Sequence, residues 1–263
     1  MRALFVKQDH NSPGGLVEDA FAAAGYDITD FTVVPRERFG SPDVTVTFPD
    51  PTAYDAIVAF GAIWAVYDDA AIGTWIHDEI AFTRAAMAAG VPVLGICFGG
   101  QMLAAAAGGT VERAPVPEIG WKVVDSSAPG LIDPGPWLEW HYDRFLLPDG
   151  VQSLATTVLP ITGLPITGLP ATGLTASDRV NQAFTVGRSL GLQFHPEVTE
   201  SVLRAWLAGG GARELAGAGV DPDALLAQTR RLEAGAAART HELVRRFLSD
   251  VATRPVVAPT AAT

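Results

Sequence analysis

Two short stretches carry the residue types that covalent catalysis requires. In Val93-Leu94-Gly95-Ile96-Cys97-Phe98-Gly99-Gly100-Gln101 the one cysteine of the chain stands between glycines, after an apolar run and before an Ala-rich segment. A nucleophile on a tight strand-to-helix turn is an elbow arrangement, written here with sulfur in place of oxygen. Side chains at Gly95 and Gly99 would collide across such a turn, so glycine belongs at both positions. A sulfur at the start of a helix also gains from the helix dipole and from free amides, which favour the attacking thiolate. The amide of Phe98 would then point at the oxygen of an attacked carbonyl. Free cysteines are more often small buried hydrophobes. The glycine bracket and the strand-turn-helix setting favour the reactive reading for Cys97.

A thiol nucleophile needs a base and a group that orients the base. The histidines are His10, His77, His141, His195 and His241. His77 falls within a helical stretch and His241 on a terminal helix face, so both are expected to meet solvent. His195 ends the apolar strand Gly191-Leu192-Gln193-Phe194 and is followed by Pro196-Glu197. If that strand runs parallel beside the one ending at Cys97, both groups reach the same sheet edge. Glu197 can accept from the second ring nitrogen and set the tautomer. The thiol and the imidazole are then expected within hydrogen-bond reach, with Glu197 on the far side of the ring.

The surrounding pattern must supply those strand ends. Short β-branched runs alternate with Ala-rich helical ones, the signature of a parallel α/β sheet. Ala3–Val6, Ile28–Val34, Tyr54–Phe60 and Val91–Ile96 read as strands. Gly15–Ala24, Trp75–Ala89 and Phe98–Ala107 read as helices. Further on, Thr110–Val124, Gln152–Val158, Val180–Val186 and Gly191–Phe194 read as strands, and Arg230–Val251 as an amphipathic terminal helix. The expected architecture is a flavodoxin-like three-layer α/β sandwich with a mostly parallel central sheet. One domain is expected over residues 1–251 and a loose Pro/Ala/Thr-rich tail over 252–263. Between two strands, Leu159-Pro160-Ile161-Thr162-Gly163 recurs at 164–168 and nearly at 169–173. Proline and glycine every five residues forbid a regular helix or a central strand, so residues 159–174 read as an inserted surface loop. The pentapeptide is similar to the sorting signal cut by sortases, but no apolar span with a basic end follows it.

Composition narrows the classes. The 263 residues are 48% hydrophobic and 18% charged, enough apolar content for a sizeable core. One cysteine excludes an internal disulfide framework and a Cys-rich zinc site. A net charge of −11 argues against nucleic acid or an anionic membrane surface as a partner. The first residues lack the apolar core and cleavage site of a signal peptide, so a cytoplasmic, reduced setting is expected. Neither metal nor cofactor is expected.

Gly95-Ile96-Cys97-Phe98-Gly99-Gly100-Gln101 taken with Gln193-Phe194-His195-Pro196-Glu197 resembles the class I glutamine amidotransferases, in particular small proteins similar to the amidotransferase domain of GMP synthase. The motifs lie about a hundred residues apart, in the family's order. Trp140-His141-Tyr142-Asp143 resembles the family's Ser-His-Gly-Asp segment, and Asn181-Gln182-Ala183-Phe184 lies on the strand before the histidine. The resemblance implies a Cys-His-Glu triad that hydrolyses the glutamine side-chain amide through a γ-glutamyl thioester. Cys97 would be nucleophile, His195 base and then acid, and Glu197 the orienting carboxylate. It further implies glutamine contacts from Gln101 and from the backbone at Tyr142 and Asp143, and oxyanion donors at Phe98 and Gly61.

Two positions depart from the family pattern. Phe60-Gly61-Ala62 stands where Gly-Gly-Pro is usual, and Tyr142 where glycine is usual. The first would alter the oxyanion loop; the second would narrow the pocket or change the γ-glutamyl substrate. No phosphate-binding loop of the Gly-x-x-x-x-Gly-Lys-[Ser/Thr] type is present, so an ammonia acceptor would require a separate synthetase subunit. Two other functions fit the same residues. One is hydrolysis of γ-glutamyl peptides or conjugates. The other is a non-enzymatic thiol sensor or binding module, against which His195 and Glu197 speak because a sensor needs neither.

Overall fold

The computed structural model describes residues 1–158 and 179–255. In chain order its strands are β1 (Arg2–Lys7), β2 (Asp27–Thr32), β3 (Ala56–Ala59), β4 (Val93–Ile96), β5 (Thr110–Lys122), β6 (Asp125–Ser126), β7 (Trp137–Leu146), β8 (Ser153–Val158), β9 (Arg179–Val186) and β10 (Ser189–Leu192). Its helices are α1 (Gly15–Ala23), α2 (Asp69–Ala88), α3 (Phe98–Ala106), α4 (Glu200–Trp206), α5 (Ala212–Gly217) and α6 (Pro222–Arg246).

The central sheet has the order β2-β1-β3-β4-β10-β9-β8-β6. Its first five strands are parallel neighbours, and β9, β8 and β6 continue it antiparallel. This is the expected α/β architecture with a mostly parallel centre. The central strands are apolar on both faces, as a sheet covered twice requires. Ala3, Phe5, Ala56, Val58, Leu94 and Ile96 pack toward Val17 and Phe21 of α1 and Leu243 and Val244 of α6. The alternate residues Leu4, Val6, Ile57, Ala59 and Val93 pack toward Ile72, Trp75 and Ile76 of α2 and Met102 and Leu103 of α3. The two-residue side-chain period of the strand thus divides one short run between two cores.

Several boundaries differ from the sequence reading. Asp68 caps α2 by accepting from the Ala71 amide, which starts the helix ahead of Trp75. Asp221 does the same for α6, followed by Pro222 at its first turn, so that helix begins well before Arg230. The sequence reading also took Thr110–Val124 as a single strand and assigned nothing to β7. In the structure β5 and β7 pair antiparallel as a separate two-stranded ribbon. A third apolar cluster, including Leu138, Val202, Leu203, Leu215 and Leu226, joins that ribbon to α4, α5 and α6. Among the described residues, no helix is long and apolar enough to cross a membrane. The repeat loop at 159–174 and the tail from 256 onward lie outside the described residues.

Glycines at the end of β4 set how closely the layers approach. A Cβ on Gly99 would land on the Ala59 carbonyl of β3, and one on Gly100 on the Leu192 carbonyl of β10. Neither obstacle is a side chain that can turn away. Gly99→Ala is therefore expected to destabilise the fold by about 1–3 kcal/mol through overpacking. Gly217→Ala serves as the control, since nothing lies within 4 Å of its added Cβ. Urea midpoints compare the two; equal midpoints would remove the steric account.

Candidate active site

Cys97 follows β4 and caps the N-terminus of α3 with φ 51° and ψ −109°. It is the one non-glycine residue with positive φ among the described residues. Such a backbone costs of order 1–3 kcal/mol and persists only where surroundings enforce it. The enforcement is visible on both sides. The Cys97 amide donates to Leu192 O of β10 at 2.9 Å, and Cys97 O accepts from the Gln101 amide at 2.9 Å. A Cβ on Gly95 would fall on the Gly99 backbone across the turn, as expected. Gly99 is required for a different reason, the neighbouring strand β3 rather than the turn itself.

Strands β4 and β10 are parallel neighbours with Ile96 beside Leu192, so the residues that follow them emerge at one sheet edge. The His195-Pro196-Glu197 turn is held at each backbone position. The His195 amide donates to Leu138 O at 2.8 Å, and the Leu16 amide at the start of α1 donates to Glu197 O at 3.0 Å. Thr240 Oγ1 of α6 donates to Pro196 O at 2.7 Å. Beneath the turn, Trp137 stacks on Phe194 with ring centroids 4.6 Å apart.

On this support His195 Nδ1 meets Glu197 Oε1 at 2.7 Å, with both side chains buried. Burial alone would push the imidazole below its ordinary range. The charges of Glu197 and Cys97, with the Glu197 hydrogen bond, outweigh it and hold His195 well above that range. Trp206 lies edge-on to the ring, 5.0 Å between centroids. Cys97 Sγ and His195 line one cleft, but Nε2 has no hydrogen-bond partner. The sulfur instead faces Trp140 O at 4.0 Å and Gln193 Nε2 at 3.7 Å. The expected thiol–imidazole hydrogen bond is therefore not closed. Catalytic pairs of this kind commonly tighten only around a reacting group.

Gly61 stands between the two. A Cβ there would lie 3.2 Å from His195 Cε1 and 3.6 Å from Cys97 Cβ. Its carbonyl accepts from Ser12 Oγ at 3.0 Å, so a hydroxyl sets the orientation of the Gly61–Ala62 peptide in this departed loop.

A second cleft meets the first at Ala62, Cys97, Trp140 and Glu214 and is lined by Gln101, Arg113, Tyr142 and Asp143. Phe98 contributes its first-turn backbone there while its ring is buried against Trp75. Arg113 lies over the Tyr142 ring at 4.7 Å and faces Asp143 Oδ1 at 3.6 Å. Tyr67 donates to the same Oδ1 at 2.8 Å. Gln101 points inward, its Nε2 shared between Asp143 O and Gln193 Oε1 at 3.3 Å each. Arg113 was invisible to sequence reasoning, because an arginine on a polar strand carries no local signal.

Behind this wall lies a buried ionic cluster that motif reading also missed. His141 Nδ1 is 2.9 Å from Asp143 O, while Nε2 faces Glu139 at 3.2 Å and Glu118 at 3.4 Å. Both ring nitrogens confront acceptors, so both must carry protons. Desolvation is outweighed by the two carboxylates, which raise His141 to about 10. Burial of Glu118 is overcome by His141, Lys122 and Thr157, which lower it; burial prevails at Glu139 and raises it. The imidazolium thus lies between two buried carboxyls, Glu118 lowered by its hydrogen bonds and cationic neighbours and Glu139 raised by its burial. Gln182 Nε2 and Thr157 Oγ1 donate to Glu118 Oε2 at 2.8 and 2.9 Å and complete its shell. His77 and His241 are exposed as expected.

The sequence profile described as Glutamine amidotransferase class-I matches residues 43–208. The chain belongs to the class-I glutamine amidotransferase family. It is 34% identical to a glutamine-hydrolyzing GMP synthase of Aeropyrum pernix over 143 residues, covering 50% of this chain and 24% of that protein. A second GMP synthase, from Thiobacillus denitrificans, is 29% identical over 197 residues, covering 68% of this chain and 32% of that protein. The amidotransferase described here thus spans less than a third of either curated relative. Among solved structures, a glutamine amidotransferase of Thermotoga maritima aligns at TM-score 0.75 and 23% identity, over 95% of this chain and 99% of that one. One from Methylobacillus flagellatus aligns at TM-score 0.74 and 22% identity, over 97% and 96%. At these identities the likeness establishes the shared fold of the amidotransferases.

The ionic cluster gives this member of the family a defined pH dependence of stability. His141 is raised from 6.5 to about 10, so its contribution is complete below the unfolded value and fades as pH rises through about 10. Glu118→Gln strips the buried imidazolium of its counter-ion and is expected to cost about 3–5 kcal/mol. It should also lessen the loss of stability between neutral pH and pH ~10, because Glu139 alone then opposes the burial that favours neutral His141. Urea unfolding at several pH values checks this; parallel pH dependences for the two proteins would show that the pair is not ionised.

Proposed function

We propose that this chain hydrolyses the side-chain amide of glutamine to glutamate and ammonia through a γ-glutamyl thioester on Cys97. The observation that carries the reading is the meeting, in one cleft, of a backbone-strained thiol with a buried His195–Glu197 pair. Cys97 Sγ gives its proton to His195 Nε2 and attacks the γ-carbonyl carbon, and the carbonyl oxygen gains negative charge. The backbone amides at Phe98 and Gly61 are assigned as its donors, each typically worth ~3 kcal/mol of barrier. As the C–N bond breaks, the imidazolium of His195 gives its Nε2 proton to the departing nitrogen. Neutral His195 then takes a proton from water, whose oxygen attacks the thioester; the C–S bond breaks and His195 returns the proton to sulfur, which frees the thiol and glutamate.

Glu197 supports both steps by favouring imidazolium and holding the ring with Nε2 toward the cleft. The second cleft offers the opposed charges that an α-amino acid needs. Arg113 suits the α-carboxylate, and Asp143, with the Tyr142 and Asp143 backbone, suits the α-ammonium. Gln101, which lines this cleft, helps to hold glutamine and also braces the Asp143 carbonyl. The relatives from A. pernix and T. denitrificans are named for glutamine hydrolysis, which supports the same amide as substrate. The ammonia would be consumed on a separate synthetase subunit. A cytoplasmic setting suits a lone thiol that must stay reduced.

Ammonia release from L-glutamine tests the reading. Cys97→Ala is expected to lose activity by at least about a thousandfold, and a diazo analogue of glutamine should label wild-type Cys97 one to one. Wild-type protein that neither releases ammonia nor takes the label would refute it. Glu197→Gln should lower kcat by about a hundredfold or more. It should also move the alkaline limb of the kcat/KM profile to lower pH, since loss of the Glu197 charge leaves burial to depress His195. An unmoved limb would mean that Glu197 does not sustain the imidazolium.

A further inference from the structure

The cleft on the His195 side of Cys97 is larger than release of ammonia demands. It has a cavity volume of about 110 Å³, opens to solvent, and is lined by Asp9, Trp140, Trp206 and Glu214 together with His195 and Glu197. Because His195 supplies the proton to the departing nitrogen, the amine half of the substrate lies on this side, and the glutamyl half lies toward Arg113 and Asp143. Among the described residues, no lysine or arginine lines the cleft. Its one basic group, His195, is already matched by Glu197.

The remaining charge is negative and its remaining surface aromatic. Asp9 is 2% exposed, and burial pushes its carboxyl above the usual range. An adjacent cation would relieve that penalty. Glu214 accepts from Trp140 Nε1 at 2.9 Å, which places a carboxylate at the edge of an indole. Trp206 donates its Nε1 to Asn11 O at 2.8 Å, and this fixes a second indole against His195. Carboxylates together with indoles are the chemistry that recognises an organic ammonium. Two buried atoms at this site also lack partners, His195 Nε2 and Glu197 Oε2.

We propose that the preferred substrates include γ-glutamyl amides of amines that carry a second, positively charged amino group. The inference rests on the thioester chemistry proposed above and changes only the leaving group. The same C–N bond breaks, the departing nitrogen takes the proton from His195 and leaves as a free primary amine, and water hydrolyses the thioester to glutamate. Asp9 and Glu214 attract the distal ammonium along the wall formed by the paired indoles, which meet edge to face with centroids 6.0 Å apart.

The test compares glutamine with three γ-glutamyl amides of similar length, formed from 1,4-diaminobutane, pentylamine and 4-aminobutyrate. They present a cationic, a neutral and an anionic end. The expected kcat/KM order is cationic, neutral, anionic, with at least about a tenfold step from cationic to neutral. Asp9→Asn and Glu214→Gln should each reduce the cationic-to-neutral ratio severalfold. Because the ratio is taken within one preparation, loss of folded protein cancels. Hydrolysis of glutamine with no preference among the three amides, or with all of them refused, overturns this inference and leaves the glutaminase reading standing. Turnover of the cationic amide without glutamine supports it and overturns glutamine as substrate. No turnover of any compound, with Cys97 unlabelled, overturns both.

Discussion

The site depends on one unfavourable backbone conformation being made obligatory. Cys97 adopts positive φ although it has a Cβ. Relaxation is blocked because β4 cannot move away from its neighbours. Gly99 and Gly100 press α3 onto the carbonyls of β3 and β10 at distances that only hydrogen side chains permit. The Cys97 amide is tied to β10 as well. The sheet thereby absorbs the cost of the turn, and the thiol, though buried, stands at the head of a helix and lines the cleft. Strain here is a consequence of packing two helices' worth of apolar surface against a sheet buried on both faces.

The imidazole opposite is fixed by a different means. Its turn carries no unusual backbone; it is fastened by hydrogen bonds from α1, α6 and β7, three elements distant in sequence. A rigid thiol thus faces a ring whose backbone is anchored from the opposite layer. What remains adjustable is the gap between Sγ and Nε2, where the reacting carbonyl would enter. Buried charge reinforces the arrangement. His195 with Glu197, and His141 with Glu118, are each an imidazolium matched by a carboxylate in a region that excludes water, where an unmatched partner would be costly. The second pair shapes the first site indirectly, since His141 holds the Asp143 carbonyl to which Gln101 also binds.

Charge is distributed unequally around the sulfur. Toward Gln101 the wall carries an arginine–aspartate pair, toward Trp206 it carries Asp9 and an indole, and Trp140 and Glu214 stand where the two sides meet. A symmetric substrate would gain nothing from this. A molecule with a zwitterionic head and a separate amine end would be oriented by it before any bond changes.

The sequence by itself determined the elements whose signals are local. Apolar period and glycine punctuation located β1, β3, β4, α1 and α3, and the paired motifs located Cys97, His195 and Glu197 on what proved to be adjacent parallel strands. The helix caps at Asp68 and Asp221 were equally local but lay outside the apolar stretches used to place α2 and α6. Tertiary structure alone decided β7, because the middle of its inward face, between the buried Trp137 and Phe145, is Glu139, His141 and Asp143. Hydropathy marks such a face as exposed, and only partners at Glu118, Gln182 and Arg113 make its burial tolerable. The same holds for the acids and indoles beside the thiol. Asp9, Trp140, Trp206 and Glu214 come from four separate segments, and no spacing along a chain can encode a charge pattern that exists only when those segments converge.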